Sequence, residues 1–260
     1  MKTFSMSIFL STFVMIDSNI MKKMIFTGFL AVMLGSIGFI AKAQTNASSQ
    51  PSSSTNPDSS SCGILDYGGQ KYRTVIIGSQ CWMKDNLNIG KWIDESQTQK
   101  QTNNSIVEKY CLGNDFTRCD QLGGLYQWEE AMQYVQTANA QGICPDGWHI
   151  PSSQDWKTLI RYLGGDDMAG GKMKFTGSNG WQNPNVGATN SSGFTALPGG
   201  YFDFMAQQWH DQYRYGYFWS SQTITQGTSV AMSLSYRTSD IDLYEEYIPS
   251  ALSVRCIKNE

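Results

Sequence analysis

The segment from Tyr201 to Trp219 has the clearest potential for binding chemistry. Nine of its nineteen residues are aromatic, and glutamine, aspartate, histidine and arginine side chains lie between them. Aromatic rings stack on the C–H faces of sugars, while amide and carboxylate groups bond the sugar hydroxyls. The segment therefore indicates a sugar-binding surface, although burial in the core is the more common fate of aromatic side chains.

Sequence neighbours divide these aromatic residues into two groups. Phe218 and Trp219 lie in a predicted strand before two small serines, so we expect them in the core. Trp209 and Tyr213 have polar neighbours, which favours the surface. The predicted ligand-binding side chains are Tyr201, Gln208, Trp209, His210, Asp211 and Tyr213.

Catalysis is the alternative function, and it would need His149 or His210, the two histidines of the chain, beside a carboxylate. The acids nearest to His149 in the sequence are Asp146 and Asp155. Its apolar neighbours favour instead a buried histidine that bonds a backbone carbonyl in the turn. Ser152 lacks the Gly-x-Ser-x-Gly pattern of serine hydrolases. We therefore predict no catalytic residue and no cofactor.

Acidic residues near the C-terminal end offer the oxygen ligands that calcium prefers. They do not have the spacing of an EF-hand, so a solvated loop is favoured and we predict no metal site. These residues are Asp240, Asp242, Glu245 and Glu246.

Six cysteines indicate disulfides rather than a zinc site or a reactive thiol. No Cys-x-x-Cys pair is present in the sequence, and an even count is typical of an exported protein that folds in an oxidising compartment. Six cysteines allow fifteen pairings. Cys111 and Cys119 enclose a short polar loop that closes easily, so we expect them to pair. The full set is Cys62, Cys81, Cys111, Cys119, Cys144 and Cys256.

The N-terminal region, residues 1–43, has the three parts of a secretory signal peptide. Met21 and two lysines precede the apolar run from Ile25 to Ile40, and Ala41-Lys42-Ala43 provides small residues at the cleavage site. We therefore expect translation to start at Met21, cleavage before Gln44 and no membrane-spanning segment in the mature chain. No cysteine directly follows the apolar run, so a lipid-anchored form is not expected.

The mature chain is predicted to consist of a tether and one domain. Residues 44–61 are mostly Ser, Asn, Pro and Thr, a composition that cannot repay the entropy of ordering. Residues 62–260 are long enough for a single domain with its own core. After residue 43 the chain holds 15 basic and 21 acidic residues, a net charge of −6. This charge repels phosphate backbones, so we expect no nucleic-acid partner.

Two helices must support the candidate site. Gln127 to Val135 has apolar residues at i, i+3, i+4 and i+7. Ser152 and Asp155 form the start signal of a second helix, whose apolar stripe predicts a buried Trp156. A third, short helix is predicted around Met168 to Phe175, interrupted by two glycines.

Strand signals and long Gly- and Asn-rich loops occupy most of the remaining sequence. The predicted strands are Tyr72–Ile77, Tyr215–Ser220, Val230–Tyr236 and Ala251–Ile257. This arrangement indicates an α+β fold, in which two main helices pack on twisted antiparallel β structure with long loops.

Six blocks of the sequence resemble, in order, those of the Fibrobacter succinogenes major paralogous domain. The most distinctive block runs from Cys144 to Ser152 and is followed by Trp156, and the resemblance spans about Asp66 to Lys258. The blocks begin at Ile77, Gly123, Cys144, Gly193, Phe218 and Ser253. The resemblance implies an exported or surface protein of the Bacteroidota–Fibrobacterota group and names no biochemical role.

The same blocks are distantly similar to the C-type-lectin-like fold, through a Gly-x-x-x-Pro turn before the helix that carries Trp156. That fold returns its C-terminal strand to the central sheet, which implies a Cys144–Cys256 pair and leaves Cys62 for Cys81. The late pair of reactive cysteines of sulfatase-modifying enzymes and the calcium-binding triplets of sugar-binding lectins are both missing. No chemistry is therefore carried over from this similarity.

Together these observations predict an exported or cell-surface module without catalytic activity. Its expected partner is a glycan or another envelope component, bound through the aromatic segment. An enzyme that uses His149 or His210 with a carboxylate, and a purely structural envelope protein, are the alternatives.

Overall fold

The computed structural model describes residues 60–94, 100–177 and 180–260. The predicted signal peptide and all but the last two residues of the predicted tether lie outside these ranges. Within them, strands account for 35% of the residues and helices for 16%. The predicted α+β architecture with two main helices on a sheet is therefore wrong, because the described chain is mostly β.

Fourteen strands and four α-helices form the described part of the chain. The strands are β1 (Ile64–Tyr67), β2 (Gln70–Ile77), β3 (Gln80–Met83), β4 (Lys91–Trp92), β5 (Glu108–Lys109), β6 (Leu125–Gln127), β7 (Trp148–His149), β8 (Tyr201–Asp203), β9 (Gln208–His210), β10 (Tyr215–Thr225), β11 (Thr228–Ser235), β12 (Ile241–Tyr247), β13 (Ser250–Ser253) and β14 (Ile257–Lys258). The helices are α1 (Phe116–Leu122), α2 (Trp128–Ala131), α3 (Ser153–Tyr162) and α4 (Asp166–Met173), and a 3-10 turn covers Leu112–Asn114.

A smaller sheet of five strands has the order β1-β2-β3-β14-β7. Gly68 and Gly69, with φ of 57° and 77°, form the two-residue turn between β1 and β2. Positive φ at both central residues gives a turn whose twist matches that of paired strands. Register sets Ile257 of β14 opposite both Trp82 and His149, so the C-terminal strand joins the start of the domain to the segment before α3.

The larger sheet has seven strands, with β12-β11-β10-β13-β8-β9 in a row and β6 also paired with β13. Its pairs are antiparallel except for β10 with β13, which meet at Phe218 and Ser253. The predicted strand Ala251–Ile257 is thus divided between the two sheets, as β13 and β14. The predicted strands from Tyr72 and Tyr215 lie within β2 and β10, and the one from Val230 overlaps β11 except for its last residue, Tyr236.

The sequence signal for α3 is confirmed. The Ser152 hydroxyl accepts a hydrogen bond from the Asp155 backbone N–H and the Asp155 carboxylate accepts one from that of Ser152, a complete capping box. Trp156 is fully buried and its ring stacks on Trp82 with 4.7 Å between centroids. The predicted apolar stripe of the helix therefore packs in a core cluster to which strands of both sheets contribute, including Trp82 of β3 and Phe218 of β10.

The predicted helix over Gln127–Val135 is present for only four residues, as α2. Gln133 and Tyr134 have φ of 50° and 60°, which ends the helix. The side chain of Glu130 accepts hydrogen bonds from the Glu108 N–H and the Tyr134 hydroxyl, and these bonds stabilise the turn. Trp128, Ala131 and Met132 of the predicted apolar stripe are buried, whereas Val135, beyond the turn, is exposed.

Glycines explain why α4 forms where the sequence indicated an interrupted helix. A Cβ at Gly170 would lie 2.3 Å from the Asp240 carbonyl oxygen, and one at Gly171 would lie 2.5 Å from that of Gly187. Both residues are buried. The glycines therefore allow α4 to approach the backbone of the segment before β12, a contact that offsets their poor helix propensity.

Three disulfides join the six cysteines in the pairs that we expected. The first is Cys62–Cys81, the second Cys111–Cys119 and the third Cys144–Cys256, with Cα–Cα distances of 6.3, 5.1 and 5.9 Å. The third spans 112 residues and connects the segment before α3 to the C-terminal strand. These disulfides are compatible with folding outside the cytoplasm.

A buried arginine lies between the two sheets. Arg255 is fully buried, and its guanidinium lies over the ring of Phe194 at 4.3 Å. It donates to the side-chain oxygen of Asn86 and to the carbonyl of Phe194. Burial lowers the pKa of Arg255. The Ser-Val-Arg-Cys block thus supplies a structural cation to the core, since no ligand can reach this group.

Candidate functional site

The β8–β9 hairpin decides which side chains of the aromatic segment share a surface. Its register sets Tyr201 opposite His210, Phe202 opposite Trp209 and Asp203 opposite Gln208. Side chains alternate between the faces of a strand, so Tyr201, Asp203, Gln208 and His210 lie on one face. Phe202 and Trp209 lie on the other face, where their ring centroids are 4.8 Å apart.

Strands β10 and β12 extend the first of these faces with further tyrosines. Tyr215 and Tyr217 of β10 stack with 5.5 Å between centroids and an interplanar angle of 6°. Tyr217 also meets Tyr201 edge-on, at 5.4 Å and 86°, and Tyr244 of β12 at 6.1 Å. Tyr201 itself stacks on His210 at 4.9 Å. All five rings are half-buried.

We call this surface the tyrosine face. It consists of the rings of Tyr201, His210, Tyr215, Tyr217 and Tyr244 with the polar side chains Asp203, Gln208, Asp211, Asp242 and Glu246. By the same alternation, Trp219 and Ala231 lie on this face too, and Tyr201, Tyr217 and Tyr244 pack against the core cluster that contains them. The rings are therefore held by a rigid sheet and remain partly open to solvent.

Carboxylates fix the orientation of the tyrosines. The Tyr217 hydroxyl donates to Asp211 at 2.8 Å, and the Tyr244 hydroxyl donates to Glu246 at 3.1 Å. Burial raises the pKa of both phenols, and the neighbouring carboxylate charges raise it further. Both tyrosines therefore stay protonated and serve as hydrogen-bond donors, while the two carboxylates are acceptors.

The turn between β9 and β10 has an unusual backbone. Asp211 and Tyr213 have φ of 54° and 62°, a region that costs an ordinary side chain about 1–2 kcal/mol. The Tyr213 N–H donates to the Pro198 carbonyl at 3.1 Å, and the Tyr213 carbonyl accepts from the Gln182 N–H at 2.7 Å. These bonds to the preceding loops hold the turn in place, with Asp211 within hydrogen-bond distance of the Tyr217 hydroxyl.

The structure brings together four of the six predicted ligand-binding residues, Tyr201, Gln208, His210 and Asp211, on the tyrosine face. Trp209, expected at the surface, instead packs against Phe202 on the opposite side of the hairpin. Tyr213 lies beside Arg118 of α1, with the guanidinium 5.7 Å from its ring centroid. Phe218 and Trp219 are fully buried, as predicted.

Six members of the tyrosine face were not predicted as ligand-binding residues from the sequence: Asp203, Tyr215, Tyr217, Asp242, Tyr244 and Glu246. The alternation of Tyr215 and Tyr217 around Gly216 was the available signal, because a period of two places both rings on one face of a strand. Asp242, Tyr244 and Glu246 alternate in the same way in β12. Three of the four acidic residues near the C-terminal end therefore lie on a strand rather than in the predicted loop.

His149 lines a second feature, an open cavity of about 640 Å³ beside Gln80 and the C-terminal strand. Its Nε2 lies 3.3 Å from the Asp155 carboxylate and its Nδ1 lies 2.7 Å from the side-chain oxygen of Asn259. The predicted bond to a backbone carbonyl is therefore wrong. Burial alone would lower the pKa of His149, but these two hydrogen bonds outweigh it and raise the pKa.

The order of groups around His149 differs from that of a catalytic triad. The Ser152 hydroxyl donates to Asp155 at 2.6 Å, so the carboxylate lies between the serine and the imidazole. A triad needs the imidazole in the middle, where it can take the serine proton. Burial disfavours the charged form of Asp155, but the bonds from His149 and Ser152 lower its pKa overall. The arrangement stabilises the start of α3.

The buried side chain of Lys174 also has a shifted pKa. It is fully buried, and its Nζ donates to the carbonyls of Val186, Ser235 and Thr238 at 2.6–2.8 Å. Burial lowers the pKa of Lys174 to about 8. All three ammonium hydrogens are used, so the side chain links loops and offers no nucleophile to a substrate.

The described residues contain no metal-binding cluster and no membrane-spanning helix. Across the described ranges, no cluster of three or more His, Cys, Asp and Glu side chains could hold a metal ion. In the same part of the chain, every helix is too short or too polar to cross a bilayer.

Comparison with known proteins gives one match. The family model of the Fibrobacter succinogenes major domain matches residues 75–258. No curated protein matches, and no solved structure matches. The distant similarity to the C-type-lectin-like fold therefore gains no support.

Proposed function

We propose that this chain, which belongs to the Fibrobacter succinogenes major domain family, is an exported, non-catalytic module that binds glycans through the tyrosine face. The observation that carries the proposal is the set of half-buried rings on one face of the larger sheet, beside side chains that bond hydroxyls. Sugars need both groups, because their C–H faces stack on rings while their hydroxyls require polar partners.

Rigid support favours binding. A ring that is already held in place loses little conformational entropy when a ligand arrives, so more of the contact energy remains as affinity. The tyrosine face has this property, since Tyr217 is fixed by Asp211 and Tyr244 by Glu246. Loop-borne aromatics without such bonds would have to be ordered during binding.

We propose no catalysis because the side chains of His149 and Ser152 are already hydrogen-bonded to other side chains of the protein. Both ring nitrogens of His149 are hydrogen-bonded to side chains, and the Ser152 hydroxyl bonds Asp155 instead of the imidazole. His210, the other histidine, stacks on Tyr201 within the tyrosine face. Export is supported by the signal-like N-terminal sequence and by the three disulfides.

A glycan array with the oxidised full chain tests the proposal. We expect binding to at least one oligosaccharide, and a loss of about tenfold or more in affinity when Tyr215→Ala and His210→Ala are combined, because stacking on each ring contributes about 0.5–1.5 kcal/mol. Tyr162→Ala is the matched control, since Tyr162 is an exposed tyrosine of α3, outside the tyrosine face. Equal binding by the double variant and the wild type would contradict the proposal. An array without any bound glycan would also refute it.

A further inference from the structure

We propose that the tyrosine face selects soluble, non-anionic oligosaccharides and rejects both polyanionic glycans and flat crystalline polysaccharides. This inference rests on the proposed function and names the ligand class of the same surface. Two independent features carry it: the relative orientation of the rings and the sign of the charge around them.

Ring orientation excludes a flat ligand. A crystalline polysaccharide presents sugar rings in one plane, and binding to it requires aromatic rings that lie in a common plane as well. Here Tyr201 and His210 are within 20° of parallel, and Tyr215 and Tyr217 within 6°. The two stacks, however, meet at 86°, the angle between Tyr201 and Tyr217. A ligand that contacts both stacks must turn between them, as a free oligosaccharide can.

Packing identifies which rings a sugar would touch. Tyr201 packs on both His210 and Tyr217, and Tyr217 packs on Tyr201, Tyr215 and Tyr244. His210 and Tyr215 are at the ends of their stacks, and each packs on one ring in the described part of the chain. His210 and Tyr215 therefore keep one face for a ligand, while Tyr201 and Tyr217 support them.

Charge determines which glycans can approach. Asp203, Asp211, Asp242 and Glu246 surround the rings, and the one cation within ion-pair distance of any of them, among the described residues, is Arg214, at 3.9 Å from Asp211. Burial raises the pKa of Tyr201, and the nearby charges of Glu246, Asp203 and Asp211 raise it further. Carboxylated or sulfated sugars are repelled by such a surface.

Neutral sugars are not repelled, because their hydroxyls donate to carboxylates. Asp242 is exposed, and the carboxylate of Asp203 accepts one hydrogen bond through Oδ1, from the Ala206 N–H at 2.9 Å. A carboxylate has about four acceptor positions, so Asp242 and the second oxygen of Asp203 can accept hydrogen bonds from a ligand. Free amino groups on a sugar would gain further from the same charges.

The experiment compares pairs of oligosaccharides with the same backbone. Neutral hexasaccharides are titrated beside their sulfated or uronic-acid equivalents, and crystalline cellulose and chitin are tested in pull-downs. We expect the anionic member of each pair to bind at least about tenfold more weakly at low salt, and the difference to shrink at 1 M salt, where the screening length is about 3 Å. Neither crystalline polymer should be retained.

Charge-neutral variants test the cause. Asp203→Asn with Asp242→Asn should reduce the discrimination against anionic sugars to about threefold or less, because two repulsive charges are removed. The readout is the ratio of the neutral and anionic affinities, since the same side chains also offer acceptors to neutral sugars. Asp66→Asn with Asp167→Asn is the matched control: it changes the net charge equally, on exposed residues of β1 and α4, and should leave the discrimination unchanged.

The outcomes separate the two proposals. Binding of neutral sugars with rejection of anionic and crystalline ones supports this inference. Anionic or crystalline glycans that bind as tightly as soluble neutral ones would overturn it and leave the proposed function intact. If the control pair changes the discrimination as much as the test pair, net charge is the cause and the inference also fails. An array in which no glycan binds would overturn the proposed function itself.

Discussion

Two fully buried tryptophans, Trp156 and Trp219, allow a sharp test of how the core is stabilised, because one indole N–H is hydrogen-bonded and the other is not. The indole N–H of Trp219 donates to the Tyr126 carbonyl at 2.7 Å. The indole nitrogen of Trp156 is buried and has no hydrogen-bond partner. Both side chains are 0% exposed. The same substitution, Trp→Phe, should therefore have different costs at the two positions.

The magnitudes follow from the two environments. Each substitution removes part of a packed ring, which costs about 1–3 kcal/mol of the free energy of unfolding. Trp219→Phe also breaks a hydrogen bond and leaves the Tyr126 carbonyl without this donor, at a further cost of about 1–2 kcal/mol. Trp156→Phe removes an N–H that had no partner, so it avoids this cost. Trp156→Ala gives the upper limit, about 3–5 kcal/mol.

Guanidinium unfolding of the oxidised proteins, followed by far-UV circular dichroism, measures these differences. Midpoints are compared at a common slope, so that a change in midpoint reports a change in stability. Trp156→Phe should be less destabilising than Trp219→Phe by about 1–2 kcal/mol. Equal losses, or a larger loss at Trp156, would refute the reasoning. A loss below about 1 kcal/mol for Trp156→Ala would contradict its burial.

Further predictions concern pH and the disulfides. The pKa of His149 is raised, so the contribution of this histidine to the free energy of unfolding is complete below the unfolded pKa of about 6.5 and is lost as the pH rises through the folded pKa. The pKa of Asp155 is lowered, so the contribution of this carboxylate to the free energy of unfolding is lost in acid. Thermal melts from pH 5 to 9 should show this alkaline loss in the wild type and not in His149→Ala, and identical profiles would contradict it. Replacing both cysteines of a disulfide by serine should lower the free energy of unfolding by about 4–5 kcal/mol for the third disulfide, which spans 112 residues, and by about 2–3 kcal/mol for the second, which spans 8. Chemical unfolding measures both losses, and a larger loss for the second disulfide would contradict the chain-entropy explanation. The first disulfide should be reduced before the others under mild thiol treatment, since its two cysteines are half-buried while the other four are buried. Mass spectrometry after alkylation identifies the bridge that opens first, and earlier reduction of either of the other two would contradict this prediction.

Local sequence signals predicted the elements that short-range interactions stabilise. The capping box of Ser152 and Asp155 and the apolar stripe behind it specify α3, because each interaction spans at most four residues. The disulfide of Cys111 and Cys119 follows from the short loop that it closes. Trp128, Ala131 and Met132 of the predicted helix from Gln127 are in the core, but Val135 is exposed, because positive φ at Gln133 ends α2 after four residues, which the spacing could not show.

The sequence by itself determined that the segment from Tyr201 is aromatic and polar, that a strand begins at Tyr215, and that the chain carries a net negative charge. Only the tertiary structure decided which aromatic rings share a face. Trp209 and His210 are adjacent in the chain, yet they lie on opposite sides of the hairpin because β8 pairs with β13 and directs Phe202 into the core. Tyr244 and Glu246 join the surface through pairing with β11, far from the segment in sequence. A strand with a period of two always has two faces, and which of them is buried depends on the partner strands, so the binding surface exists only after long-range pairing.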